Sequence, residues 1–119
     1  MAIPKIVLKK LPMVFYRSAN GAEPGRSWLK ELPATDRRII KYDIAAVEFG
    51  WPIGMPVCRP LGRGLWEVRS SLTGKRISRV IFCVARERMV LLHGFIKKTK
   101  KTPRADVDLA IKRRKEVDQ

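Results

Sequence analysis

The chain of 119 residues has the size of one domain, and its hydrophobic content of 45% is enough for one core. Its 26 basic and 11 acidic side chains give a net charge of +15, which favours a polyanionic partner, above all RNA. No apolar run approaches the roughly 20 residues that span a bilayer, and the first residues lack the apolar core of a secretory signal. We therefore expect one cytoplasmic domain over residues 1–119 with no membrane partner.

The first half of the chain predicts one strand and two helices. Residues 1–12 are expected to form a loose basic arm, and MVFYR (13–17) is typical of a strand. Pro24 suits the start of a helix that Pro33 ends. A second helix follows, with Thr35 or Asp36 as its N-cap. The two helices predict an αα-hairpin, and their apolar faces carry Trp28, Leu29, Leu32, Ile40, Ile44 and Val47.

The second half predicts strands followed by a helix. LWEVRSSL (65–72) alternates apolar and polar residues, whereas RISRVIFCVA (76–85) and MVLLHGFI (89–96) are nearly continuous apolar runs. Thr102 is the predicted N-cap of a basic last helix, which we expect to dock loosely on the sheet. The order of elements predicts an α+β fold, with helices on one face of a small antiparallel sheet and Glu67 and Arg69 on the other.

The cysteine and histidine content argues against a metal or disulfide framework. Cys58 and Cys83 are the two cysteines, His93 is the one histidine, and the Cys-x-x-Cys pattern of zinc sites is absent. Cys83 lies in an apolar run, which favours a small buried residue over a nucleophile. We expect neither a metal nor a cofactor.

Charge inside the predicted strands marks the candidate site. Residues 1–58 hold 9 basic and 5 acidic side chains, whereas residues 59–119 hold 17 and 6, so the working surface is expected in the second half. Arg69, Arg79, His93 and the pair Lys97-Lys98 lie within or directly after apolar strands, where a charge requires a partner or a groove. Structural ion pairs for the arginines, a core role for His93 and a solvated lysine run remain as alternatives.

These side chains suit the cleavage of RNA without a metal. The attacking 2′-hydroxyl must lose a proton, and arginine can stabilise the charge that develops on the phosphorus. Glu67 or a lysine of perturbed pKa could act as the base. A single histidine excludes the acid–base scheme that uses two, so we expect the target to align the RNA for cleavage.

The sequence resembles the RelE/ParE toxin superfamily, in its phage-derived HigB-like branch. The resemblance rests on five segments in the same order along the chain: VFYRSANGAEPGRSWLKELP (14–33), FGWPIGMP (49–56), GLWEVR (64–69), RVIFCV (79–84) and LLHGFIKKTKKTPRADVDLA (91–110). It implies a RelE-like fold and the toxin of a type II toxin–antitoxin system, which cleaves mRNA in the ribosomal A site. It also implies a cognate helix-turn-helix antitoxin as a second partner.

The resemblance and the residue chemistry together give the candidate site. The residues predicted to act in catalysis are Glu67, Arg69, Arg79 and Lys97, and those predicted to bind RNA are Arg63, Arg76, His93, Lys98, Lys100 and Lys101. The chain departs from the family where Glu67 replaces a basic residue and where the last strand ends in Phe95-Ile96. The alternatives are a gyrase-targeting toxin of the ParE type and a basic nucleic-acid-binding protein without catalysis.

Overall fold

The computed structural model describes residues 8–117, which form a five-stranded sheet with helices on both faces. The elements are β1 (Met13–Phe15), α1 (Pro24–Glu31), α2 (Ala34–Gly50), β2 (Cys58–Gly62), β3 (Leu65–Ser71), β4 (Ile77–Ala85), β5 (Arg88–Lys97) and α3 (Arg104–Val117). The strand order is β1-β5-β4-β3-β2, antiparallel except for the parallel pair β1–β5. The predicted α+β class is confirmed.

The αα-hairpin packs on one face of the sheet, as its apolar pattern predicts. Ile40, Ile44 and Val47 of α2 are buried in one cluster with Val80 and Phe82 of β4. Burial of these side chains is the main force that holds the hairpin to the strands.

Pro24 and Pro33 bound α1 as expected.

The helix α3 lies on the opposite face of the sheet. Ala110 is fully buried there, in a second cluster with Ile81 and Cys83 of β4, and Val107 and Ile111 pack against that cluster. The prediction that helices occupy one face therefore holds for α1 and α2 and not for α3. The face that carries Glu67 and Arg69 is the face that α3 covers.

The N-terminal segment is anchored where the structure describes it. Leu11 is buried, and its backbone N–H donates to the carbonyl of Glu48 at 2.9 Å, while Lys9 forms a 3.1 Å ion pair with the Glu48 carboxylate. Residues 8–12 are thus attached to α2 and do not form a loose arm. Residues 1–7 of the predicted arm lie outside the described residues.

Two predicted helix caps have other partners. The N-cap position of α2 is Pro33, so the predicted caps Thr35 and Asp36 lie within the first turn and no side chain caps the helix. The Asp36 carboxylate instead accepts two hydrogen bonds from Arg76, at 2.9 and 3.0 Å. The hydroxyl of Thr102 donates to Glu67. Both side chains therefore connect helices to the sheet.

Gly94 of β5 is required by packing between α1 and the sheet. A Cβ at this position would lie 2.4 Å from the ring of Trp28, a distance that real contacts do not reach. Close to it, β5 carries one extra residue, because Ile81 pairs with His93 and Phe82 pairs with Leu91. Gly94 therefore allows α1 to pack closely on the sheet.

Candidate active site

Three arginines surround one glutamate on the face that α3 covers. Glu67 lies in the middle of β3, directly opposite Arg59 of β2, and Arg69 lies directly opposite Arg79 of β4. Because side chains alternate along a strand, Glu67 and Arg69 project to the same face. Glu67 Oε1 is 3.3 Å from Arg59 Nε, 3.7 Å from Arg69 Nε and 3.9 Å from Arg79 Nε. We call these four residues the arginine cluster.

The arginine cluster holds more positive charge than its glutamate can balance. Glu67 and Arg79 are fully buried, whereas Arg59 and Arg69 are partly exposed. Burial lowers the pKa of Arg79, and the charge of Glu67 opposes this shift. Like charges directly opposite each other, as in Arg69 and Arg79, destabilise a sheet. The arrangement therefore leaves uncompensated positive charge on this face.

The chain between β5 and α3, residues 98–103, lies over the arginine cluster and supplies oxygen atoms to it. Arg79 donates to the carbonyl of Thr99, and Arg69 donates to the carbonyl of Lys100 at 3.4 Å. The hydroxyl of Thr102 donates to Glu67 Oε2. We call residues 98–103 the link segment.

A second group of polar side chains joins β5 to α3. Asp106 accepts from His93 Nε2 at 2.7 Å and from Lys97 Nζ at 3.2 Å. Burial by itself would raise the pKa of Asp106, but the hydrogen bonds from His93 and Lys97 outweigh it, so the pKa lies below its usual value. The His93 ring stacks on Phe95, with ring centroids 5.5 Å apart. His93 and Lys97 are therefore both oriented by one carboxylate.

The remaining predicted RNA-binding residues are distributed over the surface. Lys98, Lys100 and Lys101 are exposed in the link segment, beside the arginine cluster. Arg63 is exposed in the turn before β3, at the opposite end of that strand from Arg69. The guanidinium of Arg76 is bound by Asp36 of α2. The structure brings Glu67, Arg69 and Arg79 together beside the link lysines and places Lys97 with His93 at Asp106. It separates Arg63 and Arg76 from both groups.

Sequence reasoning missed three residues of the site: Arg59, Thr102 as a partner of Glu67, and Asp106 as a partner of His93. Arg59 was missed because Pro60 and Gly62 disfavour a strand, although an edge strand tolerates proline. If residues 58–62 had been interpreted as a strand paired with β3, the alternation of side chains would have placed Arg59 on the face of Glu67. Among residues 8–117, no three His, Cys, Asp or Glu side chains come together as a metal site requires.

A comparison with protein-family models assigns the chain to a toxin-like family of the RelE/HigB type. Residues 27–115 match the model of the phage-derived Gp49-like protein family (DUF891), and the chain belongs to that family. The matched range contains the arginine cluster, the link segment and Asp106. A comparison with curated proteins finds no match. No helix within residues 8–117 has the length and apolar character needed to cross a membrane.

Proposed function

We propose that this protein is the toxin of a type II toxin–antitoxin system and acts as a metal-independent, ribosome-dependent mRNA endoribonuclease. The observation that carries the proposal is the arginine cluster, in which three guanidinium groups share one carboxylate on a single face of the sheet. Guanidinium groups match the geometry of phosphate oxygens and are well suited to bind a phosphoryl group that gains negative charge. The Gp49-like family and its toxin-like character support the same assignment.

In the proposed reaction the arginines stabilise the transition state. The 2′-hydroxyl attacks the adjacent phosphorus, and Arg69 and Arg79 bind the oxygens of the resulting pentacovalent intermediate. Arg59 adds a third positive charge to this site. The 5′-oxygen then departs with a proton, which leaves a 2′,3′-cyclic phosphate.

His93 and Lys97 are better placed than Glu67 to exchange the protons. Glu67 is fully buried, with Oε2 bound to Thr102 and Oε1 facing the arginines. His93 and Lys97 retain exposed surface, and Asp106 orients both. Glu67 then serves to position the arginines, while an imidazole and an ammonium close to the phosphate supply acid and base. The ribosome would align the mRNA, and a helix-turn-helix antitoxin would silence the toxin.

The test compares Arg69→Ala and Arg69→Lys with Arg38→Ala, which removes an exposed arginine of α2 on the other face of the sheet. Each variant is induced in cells, and mRNA 5′ ends are mapped on one message with and without its start codon. We expect Arg69→Ala to reduce cleavage of the translated message by roughly 100-fold, as removal of one transition-state donor does. Arg69→Lys should retain little activity because it loses the bidentate fork, and Arg38→Ala should cleave normally.

Full toxicity of a folded Arg69→Ala variant would contradict the proposal. Growth arrest with DNA damage and continued translation would instead favour a gyrase-targeting toxin. Binding to RNA without new 5′ ends on translated messages would favour a protein that binds nucleic acid and does not cleave it.

A further inference from the structure

We infer that residues 98–117, the link segment and α3, form a displaceable cover whose oxygen atoms occupy the arginine cluster in place of the phosphate oxygens of RNA. The identity of the displacing ligand rests on the proposed function, whereas the existence of the cover rests on contacts within the chain. The cover closes the site in the free protein, and RNA has to displace it.

The cover contacts five of the six side chains of the proposed site, all except Arg59. The link segment supplies two backbone carbonyls to Arg79 and Arg69 and one hydroxyl to Glu67. The first turn of α3 supplies the Asp106 carboxylate to His93 and Lys97. One continuous segment thus provides the hydrogen-bond acceptors that a phosphodiester would otherwise provide.

The cover satisfies the arginine cluster incompletely. Among the described residues, Arg79 Nε and Nη1 and Glu67 Oε1 are buried without a hydrogen-bond partner. Buried polar groups that lack partners are costly. Because a phosphate offers several charged acceptor oxygens, where the link segment offers single carbonyls, RNA can pair with more of these donors. This difference gives RNA the free energy to displace the cover.

The apolar contact that holds α3 to the sheet is small. Ala110 is its one fully buried residue, supported by the partly buried Val107, Ile111 and Val117. A segment with little buried apolar surface opens at a low free-energy cost compared with global unfolding. The hydrogen bonds that Asp106 accepts therefore hold the first turn of α3 closed, while Arg113 and Glu116 bind Leu92 and Tyr16 further along the helix.

The two cysteines report separately on opening of the cover and on global unfolding. Cys83 is buried in the cluster that Ala110 of α3 completes, whereas Cys58 is buried in the cluster under α1 and α2. Neither cysteine is part of a disulfide. Burial, with a smaller effect of Glu67, raises the pKa of Cys58 to about 11, so its thiol reacts with alkylating agents only when the fold opens.

The experiment compares Asp106→Asn with Asp108→Asn in the full chain. Both changes remove one negative charge from α3, but Asp108 is exposed and lies 3.9 Å from Arg104 in a surface ion pair. Iodoacetamide labelling of both thiols is followed by peptide mass spectrometry. We expect Cys83 in Asp106→Asn to react roughly tenfold faster than in the wild type, as loss of a charged hydrogen bond predicts. Asp108→Asn should change the rate by less than about twofold, and Cys58 should be unaffected.

The RNA arm measures binding of a 2′-O-methyl oligonucleotide, which cannot be cleaved, to the same three proteins. Tighter binding to Asp106→Asn than to Asp108→Asn supports a cover that competes with RNA, because both variants carry the same net charge. Equal Cys83 labelling in the two variants, equal RNA affinity, or no RNA binding by any of them would overturn the inference. A different outcome separates the two proposals. If Asp106→Asn raises both Cys83 labelling and RNA affinity while none of the three proteins cleaves mRNA on ribosomes, the cover is supported and the ribonuclease proposal fails.

Discussion

Replacement of Glu67 by Gln should destabilise the protein strongly, because Glu67 is the one acidic side chain within ion-pair distance of Arg79 among the described residues. At 3.9 Å, two unit charges in an effective dielectric constant of about 20 attract each other by about 4 kcal/mol. The side chains of Arg59 and Arg69 are 31% and 20% exposed, so water solvates part of their charge. Their attraction to Glu67 therefore contributes less to the expected loss of stability.

Two features bring the expected loss to about 3 kcal/mol, the lower end of the range for a broken buried pair. Gln is cheaper to bury than Glu, and the pair of Glu67 with Arg79 lacks a direct hydrogen bond. A loss of about 3 kcal/mol is a large part of the roughly 5–15 kcal/mol by which a typical domain is stable. The midpoint of urea unfolding should therefore fall markedly while the slope stays the same.

The double variant Glu67→Gln with Arg79→Met separates charge balance from packing. Methionine fills the space of the arginine stem without a charge, so the double variant should recover most of the stability that Glu67→Gln loses. A loss below about 1 kcal/mol for Glu67→Gln, or no recovery in the double variant, would show that the carboxylate does not balance a buried charge.

Two further predictions concern the packing of the helices on the sheet. The hydrogen bonds from Arg76 lower the pKa of Asp36 below its usual value of 3.8. The ion pair therefore contributes fully to stability above pH 3.8, and this contribution is lost as the pH falls through the lowered pKa. Asp36→Asn should be less stable than the wild type at neutral pH, with the difference in urea midpoint closing in acid; a constant difference would contradict this. Gly94→Ala should lower stability by about 1–3 kcal/mol because the new methyl group meets Trp28. Gly54→Ala, which meets nothing within 4 Å, is its control in thermal unfolding.

Local signals in the sequence predicted most of the elements. Pro24 and Pro33 bound α1, and the apolar runs of β4 and β5 set the centre of the sheet. Such signals work because proline geometry and apolar periodicity act over a few residues. The edge strand β2 was missed because Pro60 and Gly62 carry the opposite signal, and its place in the sheet depends on pairing with β3.

The charge of the chain by itself predicted a polyanionic partner for its second half, and strand alternation placed Glu67 and Arg69 on one face. The tertiary structure decided which element covers that face. A narrow apolar stripe on α3 fits either side of a sheet, so the sequence could not show that Thr102 and Asp106 would reach Glu67 and His93. The candidate site was therefore predictable as a set of strand residues. Its enclosure by the chain's own C-terminal segment was not, because that contact joins residues about 35 positions apart and depends on how the helix docks.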